Sequence, residues 1–523
     1  MDGGSSRRAF LAGAGAVVAG VALGCSSEYE GGTGGSATSI RSTTLGPTTT
    51  RHTAKLPSDP FSLGVASGDP LDEAVVIWTR LVPDPAADDG LGAMPDDRVD
   101  VIWEVAVDDR FRSVVARGVT TTSSDRAHAV HVDVKGLEPA HAYHYRFKVG
   151  EWTSPPGRTK TLPAGQPDRF RIAVANCQWR ETGEYAAFRH IAEADIDLVL
   201  HLGDYVYEYG ARGTDAVCET LADWRLQYAR YRIEPRLAAA HARHPFVCTW
   251  DDHEVSNNIM GDVLEGSDDP AVARSRKAAA YQAWWEHLPV RMGPPDGPDL
   301  RVYQAVTIGD LARIHVLDER QDADVPPCRD TPTAAGDTGD CSARLDEDRT
   351  RLGEDQEQWL EGSLAEGGVT WNLLGNPVVL AGVDAGTGEQ PSFYLDTWDG
   401  FPDARVRLIG QLAGADNPVV LTGDYHAGMV LDVHERPFED TPVVCTELMA
   451  PPISSPLFPA DVSARTPQLR QQLNAHGYLA VTVEPELLTA RFQVLDDVMD
   501  PDTGIRTAAT WDITPGDPRA VQR

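Results

Sequence analysis

The run Leu198 to Leu202 is apolar except for His201 and stops at Gly203-Asp204. So short a run without alternation predicts a strand buried on both faces of a parallel sheet, with a turn at its carboxyl end. The pattern recurs. Phe170 to Ala175 runs into Asn176-Cys177-Gln178, and Phe246 to Trp250 into Asp251-Asp252-His253-Glu254. Leu311 to Leu317 runs into Asp318-Glu319-Arg320-Gln321, Thr370 to Leu374 into Gly375-Asn376, and Pro418 to Thr422 into Gly423-Asp424-Tyr425-His426. Between these strands lie stretches with helical spacing: Tyr185 to Ala194, Asp223 to Arg232, Glu234 to Ala242, Ala271 to His287, Glu354 to Ala365 and Arg405 to Leu412. Alternating strands and helices predict an α/β domain over residues 168–500. Thr441 to Glu447 and Gly477 to Leu495 read as its closing strands.

Upstream the period changes. Ala74 to Arg80, Arg98 to Val107, Ser113 to Thr121, His128 to Val134 and His141 to Val149 are short strands with turn residues between them, which predicts a small antiparallel β-sandwich over residues 57–163. Its histidines, His128, His131, His141 and His144, have no acid or cysteine at helpful spacing and read as structural. Residues 26–56, rich in Gly, Ser and Thr, read as a disordered tether, and residues 501–523 as a surface tail.

Composition narrows the partners. The 523 residues carry 79 acids against 46 bases, a formal charge of −33. Long-range repulsion opposes nucleic acid or an anionic membrane surface as a stable partner. Ser6-Arg7-Arg8-Ala9-Phe10-Leu11 followed by the apolar stretch Leu11 to Leu23 reads as a twin-arginine signal over residues 1–25, too short for a membrane span. It implies the twin-arginine export machinery as a partner and a secreted or cell-envelope location; a monomer is expected. Gly24-Cys25 leaves lipid anchoring and simple secretion both open. Of the other six cysteines, Cys328 and Cys341 flank a polar loop and are the expected disulfide. Cys218 with Cys248 is a candidate second bridge, Cys445 reads as a buried thiol, and Cys177 is set aside for a metal.

A lone Gly-Asp after a strand is an ordinary turn. The series of strand ends changes that reading of Asp204. Together they offer Cys177, Asp204 with Tyr207, Asp252 with His253, Asn376, and Asp424 with His426. Thiolate, phenolate and imidazole suit iron, whereas the aspartates offer hard oxygens for calcium or magnesium. Two unlike cations sharing Asp204 would hold a phosphoryl group and lower the pKa of a bound water. His201, inside its strand, reads as a core histidine, and Glu208 and Glu254 are acids near the site or solvated ones.

His201-Leu-Gly-Asp-Tyr-Val-Tyr-Glu208, Thr249-Trp-Asp-Asp-His-Glu254, Leu317-Asp-Glu-Arg-Gln321 and Gly423-Asp-Tyr-His426 resemble the signature blocks of PhoD-type alkaline phosphatases, and Gly64-Val-Ala-Ser-Gly-Asp-Pro70 with Ile77-Trp-Thr-Arg80 resembles their amino-terminal domain. The resemblance implies a four-layer calcineurin-like α/β sandwich preceded by a small antiparallel β-sandwich. It implies a heterometal site of Fe3+ and Ca2+, with Cys177, Asp204, Tyr207 and His426 on iron and Asp204, Asp252 and Asp424 on calcium. His253 would face the phosphate, and Arg320 would clamp its oxygens. Asn376 departs from the family pattern and is kept as a supporting residue. The implied activity is hydrolysis of phosphate monoesters by a metal-bound hydroxide; a phosphodiesterase or phospholipase D-like hydrolase of the same fold is the alternative. A surface protein that binds phosphate or calcium without turnover is the reading from another class.

Overall fold

The computed structural model describes residues 55–523 apart from 57, 265–266, 268, 326–327, 329–334, 338–340, 387–390 and 459. The twin-arginine stretch, Cys25 and nearly all of residues 26–56 therefore lie outside the described residues.

The strand Leu198–Leu202 lies between Phe170–Ala175 and Pro245–Thr249, parallel to both, in the middle of a ten-stranded sheet. A second sheet of seven strands holds Ala312–Val316, Trp371–Asn376, Pro418–Thr422 and Val443–Met449 in parallel register. The two sheets pack face to face. Leu198, Leu200 and Leu202 share one core with Ile314, Leu373 and Leu421. Residues facing the other way pack against helices. Ala186–Glu193, Leu221–Arg232, Pro235–Arg243 and Pro270–His287 cover the first sheet, and Glu354–Ala365 and Pro402–Ala413 the second. Helix, sheet, sheet, helix is the four-layer order expected, and it explains why the central strands show no alternation: both of their faces are buried.

Helix starts follow local chemistry. Thr220 and Asp223 form a reciprocal capping box, and Asp269 accepts from the Ala271 amide ahead of Pro270 at the first helical position. The predicted aromatic patch is packing: Trp250 stacks on Tyr281 with centroids 4.1 Å apart, and Trp284 meets Trp250 edge-on.

The upstream region is sandwich-like, as expected, and part of it continues the ten-stranded sheet. Val99–Ala106, Val114–Thr122, Ala142–Val149, Trp152–Thr153 and Gly157–Lys160 form a five-stranded sheet of their own. Val65–Gly68, Ala74–Arg80 and Ala129–Lys135, however, extend the ten-stranded sheet, because Val65–Gly68 pairs in parallel with Pro245–Thr249. Every residue of Ala74–Arg80 is buried, so this strand has the two-sided burial of the central ones. His128 and His131 are structural, each ring within 3.1 Å of a backbone carbonyl.

Two expectations are corrected. Residues 501–523 are not a surface tail: Ile505–Ile513 pairs with Leu487–Leu495 and Val521–Gln522 closes that edge. Ala509, Trp511 and Ile513, two residues apart, point into the core between the sheets. Cys218 and Cys248 do not form a bridge; both are free and buried in the core beneath the helices, where each serves as a small apolar residue. Cys328 and Cys341 are disulfide-bonded, and Cys445 is a buried thiol, as expected.

Because the final strand belongs to the inter-sheet core, Trp511→Ala is expected to lower unfolding free energy by about 3–5 kcal/mol, the range for removing a buried aromatic. Urea denaturation measures it, and a change below about 0.5 kcal/mol, the surface range, would show that the strand is dispensable.

Candidate metal centre

The carboxyl ends of both sets of parallel strands meet at one rim, where the chain must turn sharply. Cys177, Asp204, Asp424 and His426 all have left-handed backbones, with φ of 51°, 53°, 60° and 54°. Each such conformation costs a non-glycine residue on the order of 1–3 kcal/mol, and four of them lie together at this rim. Gly203 turns at φ 104°, and a Cβ there would lie 2.5 Å from the Asp251 Cβ and amide nitrogen, so only glycine lets the two turns touch.

Backbone bonds hold the turns together. Cys177 N donates to the Gly203 carbonyl at 3.3 Å and Gln178 N to that of Asp204 at 3.0 Å. Glu254 clamps the next two turns by accepting from the amides of Asp204, Tyr205 and Asp251 at 3.1, 2.6 and 2.9 Å. Glu254 is not a solvated acid but a buried carboxylate that fixes where Asp204 and Asp251 sit.

Donor atoms of Cys177, Asp204 and His426 lie within 4.8 Å of one another, as do those of Asp204, Asp252 and His253, and those of Asp251, Asp252 and Asp424. Tyr207 joins the first group. Its hydroxyl donates to Asp204 Oδ2 at 2.8 Å, lies 3.3 Å from His426 Nε2 and is 2.7 Å from Ser455 Oγ. Asp204 thus links the first group to the second, and Asp252 links the second to the third. The fold brings together all six predicted ligands and His253. It groups Asp252 and Asp424 with Asp251, a residue the sequence reading passed over beside Asp252.

Charge makes the arrangement costly as it stands. Burial, with Asp204, Asp424 and Asp251 adding to it, pushes the Cys177 thiol well above its usual range. Burial and neighbouring acids likewise push the Asp204 and Asp424 carboxyls and the Tyr207 phenol upward. Asp204 Oδ1, Asp251 Oδ2 and Asp252 Oδ1 are buried without a hydrogen-bond partner. Orphaned carboxylate oxygens converging from two strand ends are what a cation would satisfy, so the residues fit a metal. The thiol, phenol and imidazole of one group and the all-carboxylate character of the other suit two unlike cations.

His253 and Arg320 take different places. Burial would lower the His253 pKa, but Glu208, Asp252 and Asp204 raise it well above the usual value. Its Nδ1 is 2.7 Å from Glu208 Oε2, and Glu208 also accepts from the Asn257 amide at 2.8 Å. Glu208 is therefore the acid that orients His253. Arg320 is held by two ion pairs, and its Nη2 is left without a hydrogen-bond partner. It is fully buried, with Nε on Asp251 at 2.5 Å, Nη1 on Asp396 at 2.7 Å, and Nη2 3.6 Å from Asp252 and 4.0 Å from Asp424. It stands as a counter-ion to the carboxylate group. Asn376 is buried and donates to the Val378 carbonyl, and His201 is a core histidine 3.1 Å from Gln178.

Residues 172–492 match the family model of PhoD-like phosphatases, and residues 47–163 match that of the PhoD-like phosphatase N-terminal domain. Over 480 residues the chain is 40% identical to alkaline phosphatase D of Bacillus subtilis (strain 168), covering 87% of this chain and 81% of that protein. A solved structure described as that of PhoD is similar with a TM-score of 0.84 at 38% identity, covering 90% of this chain and 93% of that one.

If cations hold the carboxylates together, a chelator should lower the melting temperature and calcium with iron should restore it. At a hundredfold excess over Kd the restored stability is about 2.7 kcal/mol. Asp204→Asn should abolish the response; a melting temperature indifferent to chelator in the parent protein would contradict the fit.

Proposed function

Since the chain belongs to the family of PhoD-like phosphatases, we propose that it is an exported, metal-dependent alkaline phosphatase whose reaction centre is the chain of ligand groups running from Cys177 to Asp424. That it is a phosphatase of the alkaline phosphatase D type rests on the identity across most of its length. Export is read from Arg7-Arg8 and the apolar stretch after them; among the described residues no helix is long and apolar enough to cross a membrane.

The observation that carries the site assignment is the convergence of Cys177, Asp204, Tyr207 and His426 beside Asp251, Asp252 and Asp424, with carboxylate oxygens left unpartnered. Iron would be held by the first four and calcium by the carboxylate group, and together they would supply the Lewis-acid charge that phosphoryl transfer uses. The chain's own residues do the rest. Glu208 fixes the tautomer and orientation of His253, leaving Nε2 to face a phosphoryl oxygen. Arg320 and Glu254 hold the aspartates in place from behind, and the Trp179 ring, stacked 5.1 Å from Tyr207, covers the phenol from water. Either ester class can use such a centre. A cavity of about 430 Å³ beside Asp424 and His426 has room for more than inorganic phosphate, which is the support for diesters as an alternative.

Hydrolysis of matched aryl phosphate monoesters and diesters, with calcium and iron supplied, tests the assignment. Asp204→Ala is expected to lose at least about a thousandfold in kcat, comparable with losing a principal electrostatic element of a site. Parental turnover by that variant would remove Asp204 from the reaction centre. Faster turnover of the diester would move the activity to phosphodiesterase. Glu208→Gln should lose about 10–100-fold while keeping the fold, as when the partner that orients a site histidine is removed. Tyr207→Phe gives a spectroscopic check: a phenolate on ferric iron absorbs visible light, so the parent should be coloured and the variant should lose that band.

A further inference from the structure

The cavity of about 430 Å³ beside the ligand groups shares Asp424 and His426 with them. Part of its lining is aromatic, built from three separate segments. Tyr425 and Phe458 have ring centroids 4.5 Å apart, and Tyr394 lies 5.6 and 6.0 Å from them. Tyr425 is 6% exposed and its hydroxyl has no hydrogen-bond partner.

Both sides of the cavity are tied to the reaction centre by backbone bonds. Phe458 N donates to the His426 carbonyl at 3.0 Å, and Asn258 N donates to Asp252 Oδ2 at 2.6 Å. The distance from the aromatic wall to the phosphoryl position is therefore set by the same turns that set the ligands. Among the described residues no lysine or arginine lines the cavity, and its two acids are committed: Asp396 accepts from Arg320 at 2.7 Å, and Asp424 belongs to the carboxylate group. A substituent carrying further negative charge would meet no cation there. A neutral aromatic one would find stacked and edge-on ring partners.

We propose that this cavity is the subsite for the organic substituent of the phosphate ester, and that Tyr394, Tyr425 and Phe458 select neutral aromatic substituents. The inference rests on the phosphatase reading of the centre at Asp204. It names the substrate class, which the ligand groups alone leave open.

The test compares phenylphosphonate and methylphosphonate as competitive inhibitors of the metal-loaded full chain. Both carry the same anionic head, so their ratio isolates the substituent. In the parent protein phenylphosphonate should inhibit about tenfold more tightly, the size of one good aromatic contact. Phe458→Ala and Tyr394→Ala should each bring the ratio close to one, and Phe458→Tyr should retain it, which separates loss of the ring from loss of the fold. A parental ratio near one, or a ratio unchanged in both alanine variants, would overturn the subsite while leaving hydrolysis intact. Absence of both hydrolysis and phosphonate inhibition would instead overturn the centre itself, and the subsite with it.

Discussion

The structure depends on the close approach of buried carboxylates. Asp204, Asp251, Asp252 and Asp424 are carried to one rim by the ends of three strands, and one fixed cation, Arg320, stands among them. Taking a charge out of water without compensation costs several kcal/mol. A chain that holds several such groups together is held in a less favourable state than its fold requires, unless something of positive charge completes it. Much of the surrounding architecture serves that approach: the left-handed turns at Cys177, Asp204, Asp424 and His426, the glycine at 203 that lets two turns touch, and Glu254 gripping three amides. The four layers bury the strands on both sides and leave their carboxyl ends as the place where polar residues can gather.

What the sequence made legible was whatever depends on period and local chemistry. Unalternating runs such as Leu198 to Leu202 marked the central strands, and the residues just past them marked the ligands, because a parallel strand's carboxyl end always leads to the same rim. What it hid depends on long-range pairing. The seven buried residues of Ala74–Arg80 could not announce a place in the ten-stranded sheet, since they reach it through Val65–Gly68, whose parallel partner Pro245–Thr249 comes from a distant stretch. Trp511 looked like part of a polar tail because its alternation is diluted by threonine and aspartate, and only the neighbouring strand Leu487–Leu495 gives it a face to bury.

The same limit governed the site. Asp251 and Asp252 are adjacent in sequence, and nothing local says that both side chains turn inward. Arg320 matched the expected arginine of its block, but the carboxylates that hold its Nε and Nη1, Asp251 and Asp396, lie 69 and 76 positions away. Glu208 could be placed only once the fold had put His253 within 2.7 Å of it. The aromatic wall of the cavity was out of reach for the same reason, since Tyr394, Tyr425 and Phe458 come from segments with no shared pattern.

Elemental analysis of the protein purified without added metal, beside its Asp204→Asn variant, tests the central claim most directly. Iron and calcium should be bound in the parent and both reduced in the variant, because Asp204 links the ligand groups. Hydrolysis of phosphate esters by a parent protein free of bound cations would contradict that claim.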